Sequence, residues 1–164
     1  MVKLAESFLK DIGLYKGRIS GQLLDSPEIC EVLLGKNYTE EQVDELLYSQ
    51  MFPYLYVDET QTEVLPYICF EVTVPTVPTH TVKCLQLTIW TYCHKECMKY
   101  SKKGYSGTRA DIMADMVERC LRDSERFGIG KLEFKYTDVF SPASKYYGRK
   151  VIFYAYDFKL KEVK

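Results

Sequence analysis

Residues 106–121 read Ser-Gly-Thr-Arg-Ala-Asp-Ile-Met-Ala-Asp-Met-Val-Glu-Arg-Cys-Leu and leave this chain little local choice. The run opens with cap-type residues, and apolar pairs follow at 112/113, 116/117 and 120/121. Pairs spaced by four line up on one side of an α-helix, so the segment predicts an amphipathic helix over about 106–126. Ile112, Met116 and Cys120 are expected to face inward, with Asp111, Asp115 and Glu118 in solvent. An apolar, strand-like run lies before it at 82–92, and two more follow at about 131–137 and 149–160. One such helix among strands predicts an α+β fold. Its expected form is an antiparallel four- to five-stranded sheet with one long packed helix and N-terminal helices.

At 164 residues and 46% hydrophobic content, the chain can bury one core and is short for two. A single domain over 1–164 is expected, divided into a helical N-terminal elaboration (1–53) and a sheet-and-helix core (54–164). In the elaboration, Leu4, Phe8, Leu9 and Ile12 fall at helical spacing, with Gly13 as the expected stop. Ser26-Pro27-Glu28 reads as N-cap, proline at the first helical position and a dipole-favourable acid, starting a helix that Gly35 ends. Thr39 and Gln42 have capping-box spacing and launch a helix to about Gln50, buried through Val43, Leu46 and Leu47.

From Tyr54 the texture turns to β. Residues 54–57 predict a short strand, 58–62 a polar turn and 64–75 an alternating strand. Residues 75–81 predict a proline-bounded loop or edge segment. The run 82–92 is apolar on both faces, the pattern of a central strand covered on both sides. Residues 93–105 are polar and basic and predict a long connection. The final two strands flank a loop at 141–148.

Composition excludes some functions. No 18-residue apolar span exists, so no transmembrane helix is expected. Charged residues interrupt residues 1–11, which does not suit a secretory signal, and six cysteines are then expected to be reduced in a cytosol. Formal net charge is −1, yet residues 1–63 hold 5 basic and 12 acidic residues and 64–164 hold 17 and 11. An acidic part and a basic part suit electrostatic docking between copies or neighbours, or they simply solvate the N-terminal helices.

Chemistry-bearing candidates are few. Cys93-His94-Lys95-Glu96-Cys97 offers one cysteine pair and an adjacent histidine without a second knuckle, so no metal is expected there. The spacing is also wrong for Cys-x-x-Cys redox chemistry. His80 and His94, both expected in loops, lack a recognisable nucleophile context. Asp111 and Asp115 lie four apart with Arg109 and Arg119 close enough to balance them. Phosphate-binding glycine motifs are absent from the sequence. The expectation is a non-enzymatic chain without a cofactor. Lys95, Lys99, Lys102, Lys103 and Tyr105 form a basic and aromatic cluster, expected to bind a partner chain. Scarce arginine and near-neutral charge argue against sequence-specific nucleic-acid reading. Fourteen tyrosines suit wet protein–protein interfaces as well as cores.

The order of elements carries a resemblance. N-terminal helices, an antiparallel strand pair, a basic loop, a helix opening Gly107-Thr108-Arg109-Ala110-Asp111-Ile112 and a closing strand pair follow one another. The closing portion runs Gly128-Ile129-Gly130-Lys131-Leu132-Glu133-Phe134, then Tyr147-Gly148-Arg149-Lys150-Val151-Ile152-Phe153-Tyr154-Ala155-Tyr156-Asp157-Phe158. Over residues 64–160 this resembles the tail terminator (tail completion) proteins of long-tailed bacteriophages, with helices 26–50 as an elaboration. The resemblance implies a structural virion protein of the neck. It implies a hexameric ring, assembled in the host bacterial cytoplasm, that caps the tail tube and meets the head connector or adaptor proteins. It brings no catalytic residues. A ring subunit needs two different complementary faces, which the acidic and basic parts of the chain could supply. Another neck component, a head-closure or adaptor protein, is the nearest alternative. A cytosolic binding module taking nucleic acid or an acidic peptide on the 93–105 loop is the alternative from another class.

Overall fold

A computed structural model describes residues 7–159. The chain forms a five-stranded sheet with helices packed on one face. The first helix, α1 (Lys10–Leu24), runs through Gly13 instead of stopping there. Asp11, Tyr15, Ile19 and Leu23 recur every four residues and are buried, whereas Gly13, Gly17 and Gly21 lie on the exposed side. Burial of that stripe outweighs the roughly 0.5–1 kcal/mol each helical glycine costs. Leu4, part of the expected earlier helix, lies outside the described residues.

The second helix, α2 (Pro27–Leu34), has Ser26 as N-cap and Gly35 at its end, as expected. Thr39 and Gln42 complete their capping box, but α3 spans only Glu40–Asp44. The chain then turns: Gln50 is buried and donates to the Leu33 and Pro66 carbonyls, which ties the segment to α2 and to the sheet.

The sheet contains β1 (Met51–Phe52), β2 (Pro66–Thr76), β3 (Val82–His94), β4 (Ile129–Ala143) and β5 (Tyr146–Phe158), in the order β1-β2-β3-β5-β4. Four strands are antiparallel as expected, but β1 runs parallel to β2 and makes the sheet mixed. The strand expected at 54–57 is absent, and Met51–Phe52 takes its place. β3 is the central strand, with β2 and β5 on either side. The closing strands are longer than expected: β4 and β5 form a hairpin closed at Ser144 and Lys145, so the expected 141–148 loop is mostly ladder.

Helix α4 (Arg109–Leu121) is shorter than its expected span. Thr108 and Asp111 bond each other's backbone amides reciprocally in a capping box, and the helix ends at Arg122. Ile112 and Met116 are buried against the sheet as expected. Cys120 is half-buried and donates to the Gln22 carbonyl, because α1 and α2 also pack along α4. Asp111, Asp115 and Glu118 are half-buried, not exposed as expected, each beside the arginine it bonds: Arg149, Arg119 and Arg122. Asp111 accepts from Arg149 at 2.6 Å, which pins the start of α4 to β5.

On the helix-facing side, Phe70, Val72, Leu85, Leu87, Ile89 and Phe153 belong to the main core. At one end of this core lies a fully buried lysine, Lys83. Its ammonium donates to Asp11 at 2.7 Å and to the Phe158 carbonyl at 2.7 Å, with Asp157 at 3.7 Å. Tyr15 donates to Asp157.

Candidate interaction surface

The opposite face of the sheet divides into a covered half and an open half. Tyr67, Tyr92 and Tyr146 are buried there with Phe52 and Cys69. Tyr67 stacks on Tyr92 at 5.3 Å, and Tyr146 meets both edge-on. The segment 53–65 lies over them. Tyr92 donates to the Tyr56 carbonyl, Tyr67 to Glu63 at 2.8 Å and Tyr146 to the Glu63 carbonyl at 3.0 Å. Burial pushes the Tyr67 and Tyr92 hydroxyls well above the usual tyrosine range, and Tyr146 to about 12.

Asp58 organises this cover. Its carboxylate accepts from the Thr60 hydroxyl at 2.7 Å and from the amides of Thr60, Thr62 and Glu63. The Thr60 hydroxyl and those amides hold the carboxyl down at about 2, because bonds to the charged form favour it.

Gly148 marks a tight place in the ladder. A Cβ there would stand 1.9 Å from the Thr91 carbonyl oxygen and 2.5 Å from Tyr92 Cα. Tyr92 and Phe140, its neighbours on the two flanking strands, bring their rings together at 5.7 Å.

The open half carries Trp90, Tyr154, Tyr156 and Tyr136 beside charged side chains. Lys135 lies over the Tyr154 ring and bonds Glu133 at 2.9 Å, and Lys150 lies over Tyr136. Ile129, Tyr136, Tyr156 and Phe158 on this face, with Phe134 and Val139 on the helix side of β4, are each about 40–52% exposed, so large apolar residues concentrate on β4 and the end of β5. A cluster of this kind marks an interaction surface more often than scattered exposed residues do.

The sheet also leaves backbone edges free. Among the described residues no strand lies beyond β4, and only its Leu132 is buried. At the other end β1 pairs with Ile68 and Cys69 alone, and among the described residues no strand lies beyond Phe70 to Thr76 of β2. Open edges invite pairing by another chain, and proteins commonly guard them with charge. Here the Val72 amide donates to the Glu71 carboxylate at 3.0 Å and the Val139 amide to Asp138 at 2.7 Å. Each free edge thus has one outward group already occupied by an acid of its own strand.

The basic connection, nominated from sequence, is partly spent within the chain. Lys95, Lys99 and Lys103 are exposed. Lys102 is half-buried and bonds Glu31 of α2 at 3.2 Å, and Tyr105 donates to Glu28 of the same helix. Arg119 lies over the Tyr105 ring at 4.2 Å. Arg109 lies over Tyr100 at 4.4 Å and donates to the Cys97 and Val32 carbonyls. Arg109 is the residue sequence reasoning missed: it fastens the connection to α2, and its position at the start of a helix gave no sign of that reach.

The Cys93-to-Cys97 segment is not the loop expected. Cys93 and His94 are buried at the end of β3, and a 3-10 turn follows at Lys95–Cys97. His94 Nδ1 accepts from the Glu96 amide, and its ring packs edge-on against Tyr146. The bond from the Cys93 thiol, aided by the Arg109 charge, holds the Cys97 thiol down at about 7 despite burial, and the same contact pushes Cys93 up. No group of three or more metal-ligating side chains occurs among the described residues. His80 lies in the loop between β2 and β3. No helix among the described residues is long and apolar enough to cross a membrane.

Fold and surface together define a small α+β domain whose mixed sheet has helices on one face and its distinguishing features at the edges and on the other face. The chain belongs to the YomW family, whose model matches residues 26–155. The family name is a phage-derived one, which points to a phage-associated protein. No curated protein matches the chain.

Proposed function

We propose that this chain is a structural virion protein of the phage neck: a tail terminator that forms a ring on the tail tube and joins it to the head connector. The observation that carries the reading is the pair of unlike free edges on one sheet, β4 at one end and Phe70 to Thr76 of β2 at the other. Closed rings are built from heterologous contacts, in which one surface of a subunit meets a different surface of the next. A subunit with two different open edges has that property. The phage-derived family supports the setting, and the exposed Lys95, Lys99 and Lys103 remain available for a neighbouring protein. In this reading the chain works by shape and contact and carries no cofactor, and it assembles in the host cytoplasm.

The test is imaging of the native particle with the chain labelled. A ring of label at the head–tail junction is the expected result. Label absent from the particle, or present as isolated copies elsewhere on it, would refute the reading. Label between this ring and the capsid would instead assign it to a head-closure or adaptor component.

A further inference from the structure

Resting on that ring reading, we infer that its seam is a strand pairing: β4 of one copy, over Glu133 to Thr137, runs antiparallel to Phe70 to Thr73 of β2 in the next. The sheets of successive copies then continue into one another.

Strand direction makes this fit. β2 and β5 run one way and β3 and β4 the other, since each neighbouring pair among them is antiparallel. A second copy placed head-to-tail, helices on the same side, sets its β2 beside β4 in the antiparallel sense. Antiparallel pairing is slightly more stable per residue than parallel pairing.

Height along the sheet fits as well. Following the ladders across, Val72 is level with Leu87, Phe153 and Phe134. Thr73 is level with Gln86, Tyr154 and Glu133, and Glu71 with Thr88, Ile152 and Tyr136. Phe70 to Thr73 of β2 therefore stand at the height of Thr137 to Glu133 of β4, the stretch that carries the exposed Phe134 and Tyr136. Without sliding either strand, Phe134, 48% exposed in the single chain, comes beside Val72 on the helix side.

The charges match on the other side. The register shift between Phe134 and Tyr136 makes Lys135 the extra residue of a bulge. Its ammonium lies over Tyr154, on the same face of the sheet as Glu71. In the single chain Glu71 bonds Lys16 at 2.7 Å and Lys135 bonds Glu133. At the seam these four form a row of alternating sign: Lys16, Glu71, Lys135, Glu133. Opposite charges across paired strands favour the correct partner and register. The acid-capped amide of Val72 must exchange its carboxylate for a carbonyl of the neighbour, a barrier that keeps free copies apart until the tail tube gathers them.

The experiment has two arms. Glu71→Lys and Lys135→Glu are each expected to abolish ring formation on the particle while circular dichroism of the purified chain stays that of wild type. The double exchange re-forms the seam pair but leaves Lys16 and Glu133 each beside a like charge, so rings are expected to return in part. In the second arm, a chain carrying Thr73→Cys and Glu133→Cys is expected to give a ladder of covalent oligomers on mild oxidation of assembled particles, where wild type gives none. Wild-type rings with single exchanges that assemble normally and no ladder would overturn the seam and leave the ring standing. A wild-type chain that makes no ring would overturn both.

Discussion

Replacing Lys83 with methionine keeps most of the side-chain volume and removes one buried charge. Lys83 is 0% exposed, and its ammonium is held by Asp11, the Phe158 carbonyl and the more distant Asp157. Methionine sets a thioether against two buried carboxylates, at 5% and 3% exposure: Asp157 keeps its bonds from Tyr15 and the Phe158 amide, and Asp11 loses the ammonium it accepts from at 2.7 Å. Removing one partner of a buried ion pair costs about 3–5 kcal/mol, because the remaining charge is left in a medium that solvates it poorly. For a chain of this size each kcal/mol lowers the melting temperature by about 2–4 °C, so a fall of about 6–20 °C is expected. Thermal melts and urea titrations followed by circular dichroism measure it. The companion variant Lys83→Met with Asp11→Leu should recover part of the loss, since the nearer carboxylate is then gone. A melting temperature within about 3 °C of wild type for the single variant, a loss near 1 kcal/mol, would refute the argument that this cluster fastens α1 to the end of the sheet.

Gly148→Ala should destabilise the fold by about 3 kcal/mol or more, at the upper end of overpacking costs, because its methyl meets backbone of β3 instead of a side chain that can turn away; urea unfolding checks this. Acid should loosen the 53–65 cover. Asp58 has its folded pKa below the ordinary 3.8, so its contribution is full above about 4 and is lost as pH falls through about 2. Tyrosine and tryptophan fluorescence should report that loosening between those values, and Asp58→Asn should show it already at neutral pH. Lys95, Lys99 and Lys103 changed together to glutamate should leave thermal unfolding unchanged, whereas Lys102→Glu should lower it by facing Glu31 with a like charge.

Short-range chemistry was the most legible part of the chain. Ser26, Thr39 and Thr108 cap helices because each needs only an amide two or three residues ahead, a relation written in consecutive letters. The central strand was legible for a similar reason, its apolar residues falling on both faces. The course of α1 was hidden because its buried stripe begins with a charged residue, Asp11, whose burial depends on Lys83 far along the chain. The short parallel strand β1 was hidden because two residues carry no period. At the surface, the basic residues of 93–105 were visible, but their partners on α2 were not. Complementarity between distant segments reads the same whether it is met within one chain or between two. The free edges had no signal at all, since an edge is defined by what fails to pair with it.

The position of β3 has a bearing on synthesis. Its partner β2 has already been made when β3 leaves the ribosome, but the strand that seals its other side, β5, is the last of the sheet. At about 5–20 residues per second, β3 waits on the order of several seconds with one flank open. Its sequence, Val-Lys-Cys-Leu-Gln-Leu-Thr-Ile-Trp-Thr-Tyr-Cys-His, is rich in β-formers and holds one lysine as its only fully charged residue. Such a segment is prone to pair with its own kind when copies are crowded. Yield in overexpression should therefore follow the rate at which chains are completed more closely than the stability of the finished fold. Slower initiation, lower temperature or a holding chaperone should raise the soluble fraction by keeping unfinished copies of this one strand apart.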